Sequence, residues 1–294
     1  MKTMLFGLIC SMGVSSVIAQ SVTETAPTSS AKPASVNKEL LAESQYIIDL
    51  AKFYRTKGLS GKEEVLIKKD PIFSHVDAVR KEQGAIWLVG KEGRPLGVSI
   101  IYLNADEPNW VHAVRSFSTT KDVAGDFVGG RIRWRPSTAG VTFAKLPKSP
   151  KTTKRGKLLN SQMKQQARRF SGYEMFGKDR VEMRLIPREL HRYQDKEAGV
   201  VAGALFAIAH ATNPETFLLL EVRDAGDGKR EWHYGLGRFT FAAINVTIDG
   251  KDVWKKPAIR TTRPNQDYHI FHVPRVPAEM MAQRGTKATA KSNP

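Results

Sequence analysis

Two groups of residues in this chain carry side chains able to do chemistry, and they point to different kinds. The first is Arg131-Ile132-Arg133-Trp134-Arg135, followed by Lys151, Lys154, Arg155, Arg168 and Arg169. From Phe127 to Tyr173 the chain holds 12 Lys and Arg and no Asp or Glu across 47 residues. In an extended strand alternate side chains point to opposite faces, so Arg131, Arg133 and Arg135 share one face and Ile132 and Trp134 the other. Planar guanidinium groups presented together suit phosphate, sulfate or carboxylate. The competing reading is a solvated edge strand whose charges discourage edge-to-edge pairing. Both stay open on the sequence.

The second group is Arg184, Arg188, His191 and Tyr193, with Glu182 and Glu189 beside them. Further on, alternation places Trp232, Tyr234 and Arg238 on one strand face. If the sheet curves around a helix, Arg184, His191, Tyr193, Trp232, Tyr234 and Arg238 line a concave pocket, the usual form of a small-ligand site. There His191 with Glu189, assisted by Arg184, could perform acid–base chemistry. Trp232 and Tyr234 would serve equally well as core, with the arginines outside. The cationic surface makes the protein a non-catalytic binder of an anionic envelope or matrix component. The pocket makes it a small-ligand carrier or a hydrolase-like enzyme.

Other chemistries lack their signatures. His269-Ile270-Phe271-His272 has helical-face spacing but sits among prolines, with no third ligand nearby and no HExxH, so no metal site is expected. No P-loop, GxSxG or dinucleotide fingerprint occurs, and Gly235-Leu236-Gly237 lies inside a strand pattern; no cofactor is expected. No helix-turn-helix or RRM pattern is present, which argues against sequence-specific nucleic acid. The expected partner is an anionic polymer or membrane surface, and the oligomeric state is open.

Lys2, the apolar run Met4–Val14 and Val17-Ile18-Ala19 before Gln20 form an export signal, too short for a bilayer anchor. The product would be secreted or periplasmic. The one cysteine, Cys10, lies inside that signal, which leaves no disulfide and no thiol nucleophile beyond it. The net charge of +17 is concentrated. Without Lys2 and the 12 cations of the acid-free stretch, 33 Lys and Arg face 29 Asp and Glu.

The elements that would position these groups come from periodicity. A helix follows Asn37, and another carries Leu159, Met163, Ala167 and Phe170. GAIWLVGKEGRPLGVSIIYL (84–103) is echoed by GALFAIAHATNPETFLLLEV (203–222), two hairpins with matching glycines. Trp110 precedes Phe117 by the same seven residues that separate Trp232 from Phe239. The expectation is an α+β fold of two tandem pseudo-symmetric units, each a helix packed on an antiparallel β-meander. The boundaries are a signal peptide at 1–19, a disordered tether at 20–36 and a first unit at 37–124. A basic linker at 125–157 leads to a second unit at 158–255, and an extended or disordered tail fills 256–294.

At RRFSGYE, MRLIPRELHRY and GALFAIAHATNPETFLLLEVR the chain resembles a family of uncharacterised exported bacterial proteins. The likeness runs from Gln162-Met163 to Trp254 and extends more loosely to GRPLG and RSFS in the first half. It implies export and a shared architecture, and it brings no activity, cofactor or catalytic residue.

Overall fold

Local chemistry opens the first helix. The Asn37 side-chain oxygen accepts the Glu39 N–H at 2.8 Å, which satisfies one of the unpaired donors of the first turn. That helix, α1 (Lys38–Asp49), turns Ile47 and Ile48 inward. Its counterpart α2 (Gly156–Ala167) begins after Arg155 without a side-chain cap and buries Leu159, Met163 and Ala167. The computed structural model describes residues 37–57, 61–77, 81–90, 92–153, 155–277 and 279–281. The expected export signal and tether, Lys154 and residues 282–294 lie outside them.

Among the described residues the remaining regular structure is strand, apart from a helical turn at 279–281. Between the helices run β1 (Lys52–Lys57), β2 (Gly61–Val65), β3 (Phe73–Asp77), β4 (Glu82–Val89), β5 (Gly97–Asn104), β6 (Trp110–Ser116), β7 (Val123–Phe127), β8 (Ile132–Trp134) and β9 (Phe143–Lys145). After α2 come β10 (Phe170–Phe176), β11 (Asp179–Leu185), β12 (His191–Asp195), β13 (Val200–His210), β14 (Asn213–Asp224) and β15 (Arg230–Arg238). The last described strands are β16 (Ala243–Ile248), β17 (Lys251–Lys256) and β18 (Tyr268–Val273).

This content corrects the expected fold class. Of the described residues 51% are strand and 11% helix, arranged as three antiparallel sheets with a curled half-barrel, not as two helix-on-meander α+β units. The physical reason lies in the strands. β4, β5 and β14 are buried along nearly their whole length on both faces, so one 12-residue helix per half cannot be their only cover. Sheet packs on sheet instead: Ile86, Leu88, Val98 and Ile100 share a core with Leu205, Ala207, Phe217 and Leu219. Burying such side chains contributes about 1.5–3 kcal/mol each.

The sheets run β2-β1-β7-β8, β18-β6-β5-β4-β3 and β17-β16-β10-β11-β13-β14-β15-β9, with β12 also on β13. Strand orders correspond between the halves: β2-β1-β7-β8 has the order of β11-β10-β16-β17, and β3 to β6 that of β12 to β15. Gly84 faces His75 across β3–β4, and Gly203 faces Tyr193 across β12–β13. Trp110 lies in β6 and Trp232 in β15, and Phe117 and Phe239 each follow directly after those strands.

The halves are not self-contained. β9 pairs with β15, placing His233 opposite Lys145, while β18 pairs with β6, placing Tyr268 opposite Arg115. The stretch 125–157, expected as an exposed basic linker, therefore holds β8 and β9 and buries Trp134, Val141 and Leu146. Residues 268–273, expected in the tail, are the edge strand paired with β6, and they bury Tyr268, Phe271 and Val273. Among the described residues no helix is long and apolar enough to cross a membrane.

Candidate functional site

The acid-free stretch divides when its side chains are followed. Around β8, Arg131 and Arg133 are exposed, Ile132 is half-buried and Trp134 is buried, so alternation holds over those four residues. Arg135 departs from it. It turns to Asp126 at 2.5 Å and donates to the Gly125 carbonyl at 2.6 Å. Arg169 likewise pairs with Asp249 at 2.7 Å and donates to the Pro147 carbonyl. Lys151, Arg155 and Arg168, on the approach to α2 and at its end, are exposed and form no ion pair with an acid of the described residues. Lys154 lies outside the described residues. Five candidates thus keep uncompensated charge: Arg131 and Arg133 on one sheet edge, and Lys151, Arg155 and Arg168 around α2.

The pocket expected in the second half is not assembled. Trp232 is buried in the core beneath α2 and donates its indole N–H to the Pro150 carbonyl at 3.1 Å. Tyr234 packs edge-on against Phe170 at 5.3 Å. Arg238 is buried and donates to the carbonyls of Ala242 and Pro257 at 2.6 and 2.7 Å. Arg184 is exposed on β11. His191 stacks on the Tyr193 ring at 6.2 Å, and burial, with Lys68 nearby, pushes its pKa down to about 4. Its expected partner Glu189 pairs instead with Lys164 at 3.2 Å and with Arg192.

Tyr193 belongs to a different cluster, one centred on Glu221. This carboxylate is fully buried in β14. It accepts from Arg94 Nε and Nη2 at 2.6 and 2.9 Å, from Arg223 Nε at 2.7 Å and from the Tyr193 hydroxyl at 2.9 Å. The Phe143 ring lies under both guanidinium groups, 4.7 Å from Arg94 Cζ and 4.2 Å from Arg223 Cζ. Asp195 accepts the Arg94 backbone N–H at 3.0 Å. Two cations meet two carboxylates, and Glu221 has no open coordination. Burial and Glu221 together raise the Tyr193 pKa well above its ordinary value, so its proton stays in place. The arrangement fastens the turn after β4 onto β12–β14; it has no vacancy for a substrate.

Ser99 and His112 form a second buried pair, with Ser99 Oγ 2.6 Å from His112 Nε2. Burial, with His269 nearby, holds the imidazole down to about 3. Ser99 is 0% exposed, so its hydroxyl cannot meet a substrate, and the pair serves packing between β5 and β6. Among the described residues no group of three or more His, Cys, Asp and Glu is placed to hold a metal ion. In β18, His269 is buried against Thr262 and His272 is exposed.

A cleft of about 340 Å³ opens between α2 and strands β12–β13. Its walls include Met163 from α2, the half-exposed Lys164 and Arg192 at the mouth, the largely buried Glu189, Gln194, and Phe206. Burial alone would raise the Glu189 pKa. Its own backbone N–H, Lys164 and Arg192 outweigh burial and hold it below the usual carboxylate range. Two cations therefore share one carboxylate, leaving the mouth net positive. Reasoning from sequence missed this cleft and the Glu221 cluster. The readable signal for the latter was a lone glutamate inside the apolar run Thr216-Phe-Leu-Leu-Leu-Glu-Val222. Compared with family models, with curated proteins and with solved structures, the chain finds no match.

Proposed function

We propose that this is a non-catalytic binding protein for an anionic polymer of the cell envelope or matrix. The observation that carries the reading is the set Arg131, Arg133, Lys151, Arg155 and Arg168: exposed cations inside a 47-residue stretch without a single acid, none ion-paired within the described residues. Elsewhere in the same stretch Lys145, Arg135, Lys164 and Arg169 do have acidic partners. The uncompensated charge is thus selective and does not simply follow from a shortage of carboxylates. With residues 1–19 read as an export signal, the compartment favours acidic polysaccharide over genomic nucleic acid.

The test is binding to polygalacturonate, heparin, anionic vesicles and duplex DNA at two salt concentrations. Charge-driven binding weakens roughly linearly in log affinity against log salt, by about 0.9 per phosphate contact for duplex DNA. The variant R131S/R133S and the variant K151S/R155S/R168S should each lower affinity and flatten the salt slope while folding normally, since exposed sites shift stability by only about 0.5 kcal/mol. Unchanged affinity in both variants, or binding indifferent to salt, would remove the proposal.

A further inference from the structure

The cleft beneath α2 exists because the two halves treat equivalent positions differently. Gly84 and Gly203 occupy matching places opposite β3 and β12. Counting from them, Gln83 corresponds to Ala202 and Trp87 to Phe206. In the first half both long side chains tie the helix down. Gln83 Oε1 accepts the backbone N–H of Asn37, the α1 cap, at 3.3 Å, and Trp87 Nε1 donates to Gln45 Oε1 of α1 at 3.2 Å. In the second half Ala202 and Phe206 carry no polar group to reach α2, and both line the cleft. The space that glutamine and tryptophan close above α1's strands stands open under α2.

What lines the opening has a definite chemistry. Phe206 and Met163 offer an apolar floor, while Asn160 and Gln194 offer amides able to donate and accept at once. Lys164 and Arg192 stand at the mouth with half their side chains exposed and only Glu189 between them. One helical turn past Lys164 on the same face lies exposed Arg168. An apolar face, paired amides and cations at the rim match a hydroxylated ring with a carboxylate. The volume, near the lower bound of roughly 300 Å³ for small-ligand sites, suits one or two such rings rather than a large cofactor.

We infer that this cleft is a binding site for a uronic acid residue, its carboxylate held by Lys164 and Arg192 and its ring against Phe206. The inference rests on the anionic-polymer reading for its ligand class and deepens it: the exposed cations attract the chain, and the cleft selects a carboxylated sugar within it. A sulfated or phosphorylated polymer would use the surface charge without filling the cleft.

The experiment uses the full chain with tri-galacturonate, a neutral tri-galactose, a C8 fatty acid and the galacturonate polymer, read by calorimetry and ligand-observed NMR. Tri-galacturonate should bind and tri-galactose should not. K164Q and R192Q should each weaken the trimer about tenfold, the loss expected for one charge-assisted contact. Filling the cleft with A202Q/F206W, the first half's own side chains, should abolish trimer binding and leave the salt-dependent binding of the polymer. K164Q and R192Q alter half-exposed side chains, so they decide the matter if A202Q/F206W fails to fold. Trimer binding unchanged in all these variants, no trimer binding up to millimolar concentration, or preference for the fatty acid each overturns the cleft site. Polymer binding that survives in those same cases leaves the surface reading standing, and its loss in K151S/R155S/R168S with trimer binding retained separates the two.

Discussion

Glu221→Gln tests whether the buried ion cluster holds the sheets together. The substitution keeps the shape of the side chain and removes its charge. Arg94 is 13% exposed and Arg223 23% exposed, so neither guanidinium can recover its hydration without movement. The amide offers one acceptor oxygen, and its NH2 group faces a donor. Asp195 remains near Arg94, but through the backbone N–H. Breaking a buried ion pair from one side costs about 3–5 kcal/mol. With one acceptor retained, the lower end is expected, about 3 kcal/mol. At roughly 2–4 °C per kcal/mol for a body of this size, Tm should fall by about 6–12 °C. Urea denaturation followed by circular dichroism and by tryptophan fluorescence would measure it, and coincident transitions would justify the two-state treatment. Arg94→Gln should also destabilise, and E221Q/R94Q should do so by less than the sum, because the two changes remove one interaction. A loss below about 0.5 kcal/mol, the range of ordinary surface changes, would show that water reaches the cluster and refute the latch.

Two further outcomes follow from buried groups. His112 is held at about 3 in the fold against an ordinary 6.5, so the unfolded chain takes up a proton that the folded one refuses. Its contribution is complete above about pH 6.5 and is lost as pH falls toward 3, at up to about 1.4 kcal/mol per pH unit. His191, lowered to about 4, acts in the same direction over a narrower window. H112N should make urea stability less steep between pH 6 and 4, and an unaltered slope would remove His112 as the titrating group. Gly203→Ala would put a Cβ 2.3 Å from the Tyr193 ring, and Gly84→Ala would put one 2.5 Å from Tyr102 Cβ. Each should cost about 1–3 kcal/mol in the urea midpoint, with wild-type midpoints showing that the ring or strand moves freely.

What could be read from the sequence and what could not divide along the line between local and long-range forces. The runs around Gly84 and Gly203 are strands because apolar and β-branched residues fill them, and α1 begins at Asn37 because that side chain caps it; both are decided within a few residues. β10 was hidden by the same kind of signal. Phe170 continues the helical spacing of Met163 and Ala167, so it reads as the end of a helix until the pairing of Phe170–Met175 with β16 is seen. Partner choice has no local signature at all. Nothing near Lys145 or Tyr268 says that β9 will edge the second meander and β18 the first. A shared pattern was nevertheless present: Leu146-Pro147-Lys148-Ser149-Pro150 directly after β9 and Val273-Pro274-Arg275-Val276-Pro277 starting at the last residue of β18. Each stretch, with the residues just after it, docks on the helix of the half it joins. Thr153 N–H donates to Gln162 of α2 at 3.0 Å, and Val276 N–H to Glu43 of α1 at 2.7 Å. The sites obey the same division. Glu221 stands out as a charge in an apolar strand, but its partner Arg94 lies 127 residues earlier in a turn. The cleft is harder still, because it is made by what Ala202 and Phe206 lack. Only alignment of each against Gln83 and Trp87, with the register between strands already known, turns two unremarkable core residues into an opening.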